Sequence, residues 1–93
     1  MVSIFDVAKY ILRKMGDTTL WKLQKLCYYS QAWYLAWYKK PLFKEDFQVW
    51  SNGPVNVELH ELIKGNFWIG KKNLKIGKVK HLKKQQKKTL TIY

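Results

Sequence analysis

Residues 20–38 restrict the fold of this chain more than any other part of it. Apolar residues recur there at helical spacing, without an interrupting glycine or proline. From Leu26 onward the run is apolar nearly all round, which is typical of a helix buried at the centre of a domain. Lys22, Gln24, Lys25 and Gln31 argue against a membrane span. The sequence therefore predicts a mainly α, small helical domain with one long central aromatic helix.

A first helix is predicted before the central one. Ser3 and Asp6 match the spacing of a capping box, and apolar residues then repeat at helical intervals as far as Gly16. Glycine is suited to the end of a helix, so this helix should stop there. The residues from Asp17 to Thr19 then offer an N-cap for the central helix.

The chain changes character after the central helix. Residues 42–52 alternate imperfectly between apolar and polar side chains, which indicates a short extended segment or hairpin. The run Asn52-Gly53-Pro54 is a turn signal, and Pro54 suits the first turn of a third helix, which Gly65 would end. Residues 82–90 resemble a short fourth helix.

Charge is distributed unevenly along the chain. Of the net charge of +12, +9 lies in residues 65–93, where there are nine lysines and no acidic residue. We therefore divide a single domain, residues 1–93, into a core of residues 1–70 and a lysine-rich segment of residues 71–93. This segment is either a solvated run of charge or a site that binds nucleic-acid phosphates without reading bases. In the second case the protein would bind nucleic acid non-specifically or regulate its own operon. The lysines of the second interpretation are Lys71, Lys72, Lys75, Lys78, Lys80, Lys83, Lys84, Lys87 and Lys88.

The sequence contains no constellation typical of an enzyme. His60 and His81 lack metal-ligand spacing, so neither a metal nor another cofactor is expected. Cys27 lies in an apolar run, which is typical of a core residue, and a nucleophilic pair with His60 would require close proximity. Glu58 and Glu61 are typical of a solvated helix face. We predict a binding protein rather than an enzyme.

The cysteine count and the N-terminus indicate the compartment. Cys27 is the single cysteine, so no internal disulfide can form, whereas small secreted proteins usually carry several. Asp6 and Lys9 interrupt the first apolar run, which therefore resembles neither a signal peptide nor a membrane span. We expect a cytoplasmic protein without a membrane partner.

Three motifs follow one another in the middle of the chain. They are Lys22-Leu23-Gln24-Lys25-Leu26-Cys27-Tyr28-Tyr29-Ser30-Gln31, then Pro41-Leu42-Phe43, then Trp50-Ser51-Asn52-Gly53-Pro54-Val55 with Glu58-Leu59. This series resembles the pattern K-L-x-K-L-x-Y-x-x-Q, P-L-F, W-x-x-G-P-V-x-x-E-L of the Panacea domain, the SocA-like or GepA-like family of phage-associated antitoxins. The resemblance covers about residues 4–64.

The resemblance implies an antitoxin that neutralises a cognate toxin by direct binding. One type of relative hands its toxin to a bacterial protease as an adaptor, so a protease is a second implied partner. The motif residues expected to bind a partner or to shape the site are Lys22, Lys25, Gln31, Trp50, Asn52, Gly53, Pro54 and Glu58. Among them, Lys22, Lys25 and Gln31 would hydrogen-bond either across the domain or to a partner.

The motifs also carry structural expectations. Leu23, Leu26 and Tyr29 should lie in the core, Trp50 should anchor the extended segment on the aromatic helix, and Gly53 permits a positive φ. Members of the family usually continue through further helices, so this chain resembles a C-terminally truncated copy. An apolar face would then be exposed, and we expect a homodimer or an exchange of helices through it.

Overall fold

The computed structural model describes residues 2–90, apart from the side chain of Lys71. Residues 91–93 of the predicted lysine-rich segment and the Lys71 side chain therefore lie outside the described part of the chain. The helices are α1 (Ile4–Met15), α2 (Leu20–Tyr38), α3 (Val57–Ile63) and α4 (Lys84–Leu90). Short antiparallel strands pair as β1 (Thr18–Thr19) with β4 (Trp68–Ile69) and β2 (Gln48–Trp50) with β3 (Gly53–Val55). Two 3₁₀ turns, Lys71–Asn73 and Val79–His81, precede α4. The fold is mainly helical, as predicted.

The ends of the first two helices follow the local signals in the sequence. Ser3 and Asp6 form the predicted capping box, in which each side chain accepts a hydrogen bond from the backbone amide of the other residue. Gly16 ends α1 with a φ of 84°, and the Thr19 hydroxyl accepts a hydrogen bond from the Lys22 amide at the start of α2. Both helices therefore begin and end where the sequence predicts.

Helix α2 is not buried all round, contrary to the prediction. One side of it contributes to the core through Leu20, Leu23, Leu26, Cys27 and Tyr34. On the other side, Tyr29, Trp33 and Trp37 are 48%, 44% and 48% exposed. The prediction that Tyr29 lies in the core is therefore wrong. The rings occur on both sides of the helix, so an apolar composition did not show which of them faces outward.

The extended segment forms a hairpin that lies slightly later in the chain than predicted. Gly53 has a φ of 118°, in the region that favours glycine, as expected. Pro54 lies in β3 rather than in the first turn of a helix, which corrects the prediction. Helix α3 instead begins after Asn56, whose side chain accepts a hydrogen bond from the Leu59 amide at 2.8 Å. The asparagine cap thus determines where the helix begins.

The lysine-rich segment contributes to the hydrophobic core. Leu74, Leu82 and Leu90 are buried in the same cluster as the inner sides of α1 and α2. Gly77, with a φ of 93°, passes so close to α1 that a Cβ atom would overlap the carbonyl group of Phe5. The core therefore continues beyond residue 70, and the segment is not simply a solvated tail.

Asp6 joins the start of the chain to this segment. Its carboxylate accepts a hydrogen bond from the Lys78 amide at 2.7 Å and lies 3.2 Å from Nδ1 of His81. Burial alone would raise the pKa of Asp6, but the hydrogen bonds from the amides of Ser3 and Lys78 and the proximity of His81 outweigh it. The pKa of Asp6 is therefore lower than that of an ordinary aspartate.

The lowered pKa makes a prediction about stability. The charged form of Asp6 stabilises the fold above the pKa of the unfolded chain, and this stabilisation is lost as the pH falls through the lower, folded-state pKa. We expect Asp6→Asn to lower the free energy of unfolding at about pH 7 by about 1–3 kcal/mol, and by less at about pH 3. Urea denaturation at both pH values measures this difference. The exposed Asp46 provides the control variant Asp46→Asn, and equal losses in the two variants would contradict the prediction.

Candidate partner-binding face

Two glutamines of the first motif join α2 to the segments that carry the other two motifs. The buried Gln24 amide donates to the Asn56 carbonyl at 3.0 Å and accepts from the Asn56 amide at 2.9 Å. The Gln31 amide donates to the Phe43 carbonyl at 2.7 Å and accepts from the Leu42 amide at 2.7 Å. Each side-chain amide thus donates one hydrogen bond to a backbone carbonyl and accepts one from a backbone amide, as a peptide group does in a β-sheet. These hydrogen bonds hold the P-L-F segment and the start of α3 against α2.

The sequence analysis predicted a hydrogen-bonding role for only one of the two glutamines, Gln31. Of the two roles expected for Gln31, its side chain takes the one across the domain. Gln24 was missed, because it stands at a variable position in the family pattern. A signal was nevertheless present: Gln24 shares the buried side of α2 with Leu23 and Cys27, and a buried amide needs hydrogen-bond partners.

The hairpin places Trp50 against α3 rather than directly on α2. The centroid of the Trp50 ring lies 4.9 Å from that of His60, and His60 stacks on Trp21 of α2 at 6.2 Å. Trp50 therefore reaches the aromatic helix through His60, which refines the predicted anchor. Trp21 and Trp50 line a shallow depression of about 460 Å³ together with Val49, which is 93% exposed.

Lys25 connects the hairpin to the exposed side of α2. Its Cε atom lies 3.3 Å from the position that a Cβ atom would occupy on Gly53, so the lysine stem passes over this glycine. Tyr29 and Trp33 follow Lys25 at steps of four residues and therefore lie on the same side of the helix. We refer to this surface as the hairpin–α2 face, which consists of Lys22, Lys25, Tyr29, Trp33, Val49 and Trp50.

The remaining residues predicted for the site lie beside this face or apart from it. Asn52 is exposed in the turn of the hairpin, and Pro54 is half-buried in β3. Glu58 is exposed in the first turn of α3 and lines a different depression, of about 310 Å³, with Lys44 and Asp46. The structure thus places the hairpin beside Lys25, whereas Glu58 lies outside the hairpin–α2 face.

The described residues show how the titratable groups considered for chemistry are arranged. Cys27 is buried, and burial raises the pKa of its thiol. Glu61 pairs with Lys64 at 2.9 Å rather than with Glu58. Within residues 2–90, no group of three or more His, Cys, Asp or Glu side chains could hold a metal ion. The helices in this part of the chain are also too short or too polar to cross a membrane.

The motifs that surround this face match a known family. The family profile described as antitoxin SocA-like, Panacea domain, matches residues 23–92, which are 70 of the 93 residues. The chain belongs to this antitoxin family. The match continues through residues 65–92, beyond residue 64, where we expected the resemblance to end. Burial of leucines from the lysine-rich segment of this Panacea domain agrees with the longer match.

No match was found among the curated proteins or among the solved structures. Membership of the family implies an antitoxin role and a toxin as the general type of partner.

The Gln24 pairing can be tested by substitution. We expect Gln24→Met to lower the free energy of unfolding by about 1–3 kcal/mol, because the buried Asn56 amide would lose its acceptor, while the Asn56 carbonyl would keep the hydrogen bond from the His60 amide. Lys22→Met introduces the same side chain at an exposed position of α2 and should change stability by less than about 0.5 kcal/mol. Urea denaturation of both variants measures the difference. A loss at Gln24 no larger than that at Lys22 would contradict a structural role for this glutamine.

Proposed function

We propose that this Panacea domain neutralises a toxin by binding it directly through the hairpin–α2 face. The supporting observation is the exposure of large rings on a helix whose opposite side forms the core: Tyr29 and Trp33 are 48% and 44% exposed. Exposed aromatic residues that lie together are typical of surfaces that bind protein partners. The family role and this surface support the same function.

The chemistry of the face indicates what kind of partner surface fits it. Trp33 contacts Trp37 edge to face, with ring centroids 5.6 Å apart, so these rings form a continuous apolar area along α2. Lys22 and Lys25 add positive charge toward the start of the helix. A partner that buries apolar side chains on the rings and places acidic groups near the two lysines would complement the face.

In this proposal, some motif residues contact the toxin and others hold the contacting residues in position. Trp50 and Lys25 contact the toxin, whereas Asn52, Gly53 and Pro54 shape the turn that presents Trp50. Gln31 acts indirectly, by holding the P-L-F segment against the helix. Residues 1–93 would act as one module, because Asp6 and Tyr34 are hydrogen-bonded to the lysine-rich segment, through Lys78 and Gln85 respectively.

Removing two exposed rings tests the proposal. The double variant Tyr29→Ser, Trp33→Ser should weaken binding to the product of the adjacent gene by about 30-fold or more, because buried aromatic residues at interface centres each contribute about 2 kcal/mol or more. Titration calorimetry measures the binding, and co-expression measures rescue of growth. The control variant Phe67→Ser, Trp68→Ser removes two rings that are 63% and 61% exposed elsewhere, and it should bind and rescue normally.

The same cultures separate the alternatives. An unchanged toxin level during rescue supports neutralisation by binding, whereas a level that falls only when the protease is present supports the adaptor role implied by relatives. If the Tyr29 and Trp33 variant keeps the wild-type circular dichroism spectrum and still binds the toxin normally, the face is not the toxin site. Conversion of a dimer to a monomer in that case would assign the face to self-association.

A further inference from the structure

The fold brings basic residues from distant parts of the chain onto one surface. Arg13 of α1 and the side chains of Lys78 and Lys80 line an open depression of about 450 Å³. Lys9 lies in the same depression and donates a hydrogen bond from its ammonium group to the Leu74 carbonyl, so it fastens the lysine-rich segment to α1. The contribution of α1 to this basic surface was not predicted from the sequence.

A second depression, of about 350 Å³, adjoins the first through the hydrogen bond from the Lys78 amide to Asp6, because Lys78 lines one depression and Asp6 the other. Lys40 and Lys83 line this second depression. Asp6 lies in this second depression, but its carboxylate is held by the amides of Ser3 and Lys78 and by His81. We refer to this surface as the α1–lysine face, which consists of Arg13, Lys40, Lys78, Lys80 and Lys83.

Three acidic residues, Glu45, Asp46 and Glu58, line another depression together with Lys44. The carboxylate of Glu45 accepts a hydrogen bond from the Ile4 amide at the start of α1, so this acid is occupied by the backbone. The residues after position 64 contain no acidic side chain to offset their nine lysines. These residues therefore carry an excess of positive charge, which attracts polyanions.

The composition of the α1–lysine face differs from that of the hairpin–α2 face. Protein–protein interfaces are depleted in lysine and enriched in aromatic residues, and the exposed rings of Tyr29, Trp33 and Trp50 lie on the hairpin–α2 face. Lysine acts as a point charge that suits phosphate groups, whereas specific base contacts most often use arginine. The chemistry favours a phosphate backbone over a protein partner.

We propose that the α1–lysine face binds the phosphate backbone of double-stranded nucleic acid without reading its sequence. This activity is independent of toxin binding, because it uses residues outside the hairpin–α2 face. A duplex carries a closely spaced row of phosphates, and cations that lie along residues 78–83 and α1 can contact several of them at once. The binding follows from charge and therefore weakens steeply with salt.

The test uses the full chain and a matched pair of variants. Removal of residues 71–93 would not serve, because it deletes the core residues Leu74, Leu82 and Leu90. The variant Arg13→Gln, Lys78→Gln, Lys80→Gln removes three exposed cations from the face. The control, Lys22→Gln, Lys25→Gln, Lys44→Gln, removes three exposed cations elsewhere and leaves the same net charge.

Fluorescence anisotropy with a random-sequence duplex of about 20 base pairs, over about 50–200 mM salt, measures affinity and its salt dependence. We expect the face variant to bind at least about ten-fold more weakly at the lowest salt concentration. The slope of log K against log salt should become shallower by about 2–3, since each lost phosphate contact contributes about 0.9. The control variant should keep the wild-type slope.

Several results would overturn the proposal. They are a wild-type chain that does not bind the duplex at low salt, a control variant that loses as much slope as the face variant, and competition by polyglutamate or phosphatidylserine vesicles as effective as competition by duplex. Equal thermal midpoints of the three chains establish that the comparison is between folded proteins. The hydrogen bond from residue 78 to Asp6 is made by the backbone amide and persists in the face variant.

Discussion

The paired hydrogen bonds between Gln24 and Asn56 support much of the rest of the structure. Asn56 is the residue at which the hairpin ends and α3 begins, and its own side chain caps α3 and donates to the Asp46 carbonyl at 2.7 Å. Because Gln24 lies on the buried side of α2, this one asparagine is hydrogen-bonded to α2, to the segment that precedes β2 and to the first turn of α3. The position of Trp50 beside His60, and of Gly53 beneath Lys25, depends on that junction.

Much of the helical framework could be predicted from short-range signals. The capping box of Ser3 and Asp6, the glycine at position 16 and the Thr19 cap depend on neighbouring residues alone, and all of them occur as expected. The outward-facing rings of α2 and the burial of leucines in the lysine-rich segment depend on which elements pack against which. The high density of lysines concealed the second feature, since Leu74, Leu82 and Leu90 are widely spaced in a segment where most of the lysines with described side chains are exposed.

Only part of the candidate face could be predicted from the motifs. A motif shows which residue types recur and does not distinguish residues kept for folding from residues kept for binding. Lys25, Trp50 and Gly53 come together at the surface, whereas Gln31 is occupied with backbone groups and Glu58 lies by another depression. The rings at Tyr29 and Trp33 were attributed to a buried helix, although the four-residue spacing that links them to Lys25 could already be seen.

The link from Asp6 to Lys78 spans 72 positions of the chain, whereas the links from Gln31 to Leu42 and from Gln24 to Asn56 span only 11 and 32. Contacts between close residues form earlier while a polypeptide is being synthesised. We therefore expect α2 and the hairpin to meet their partners on the ribosome before α1 receives the segment that covers Asp6. In that order of events, the exposed rings of α2 would be in place while α1 still lacked its last neighbours.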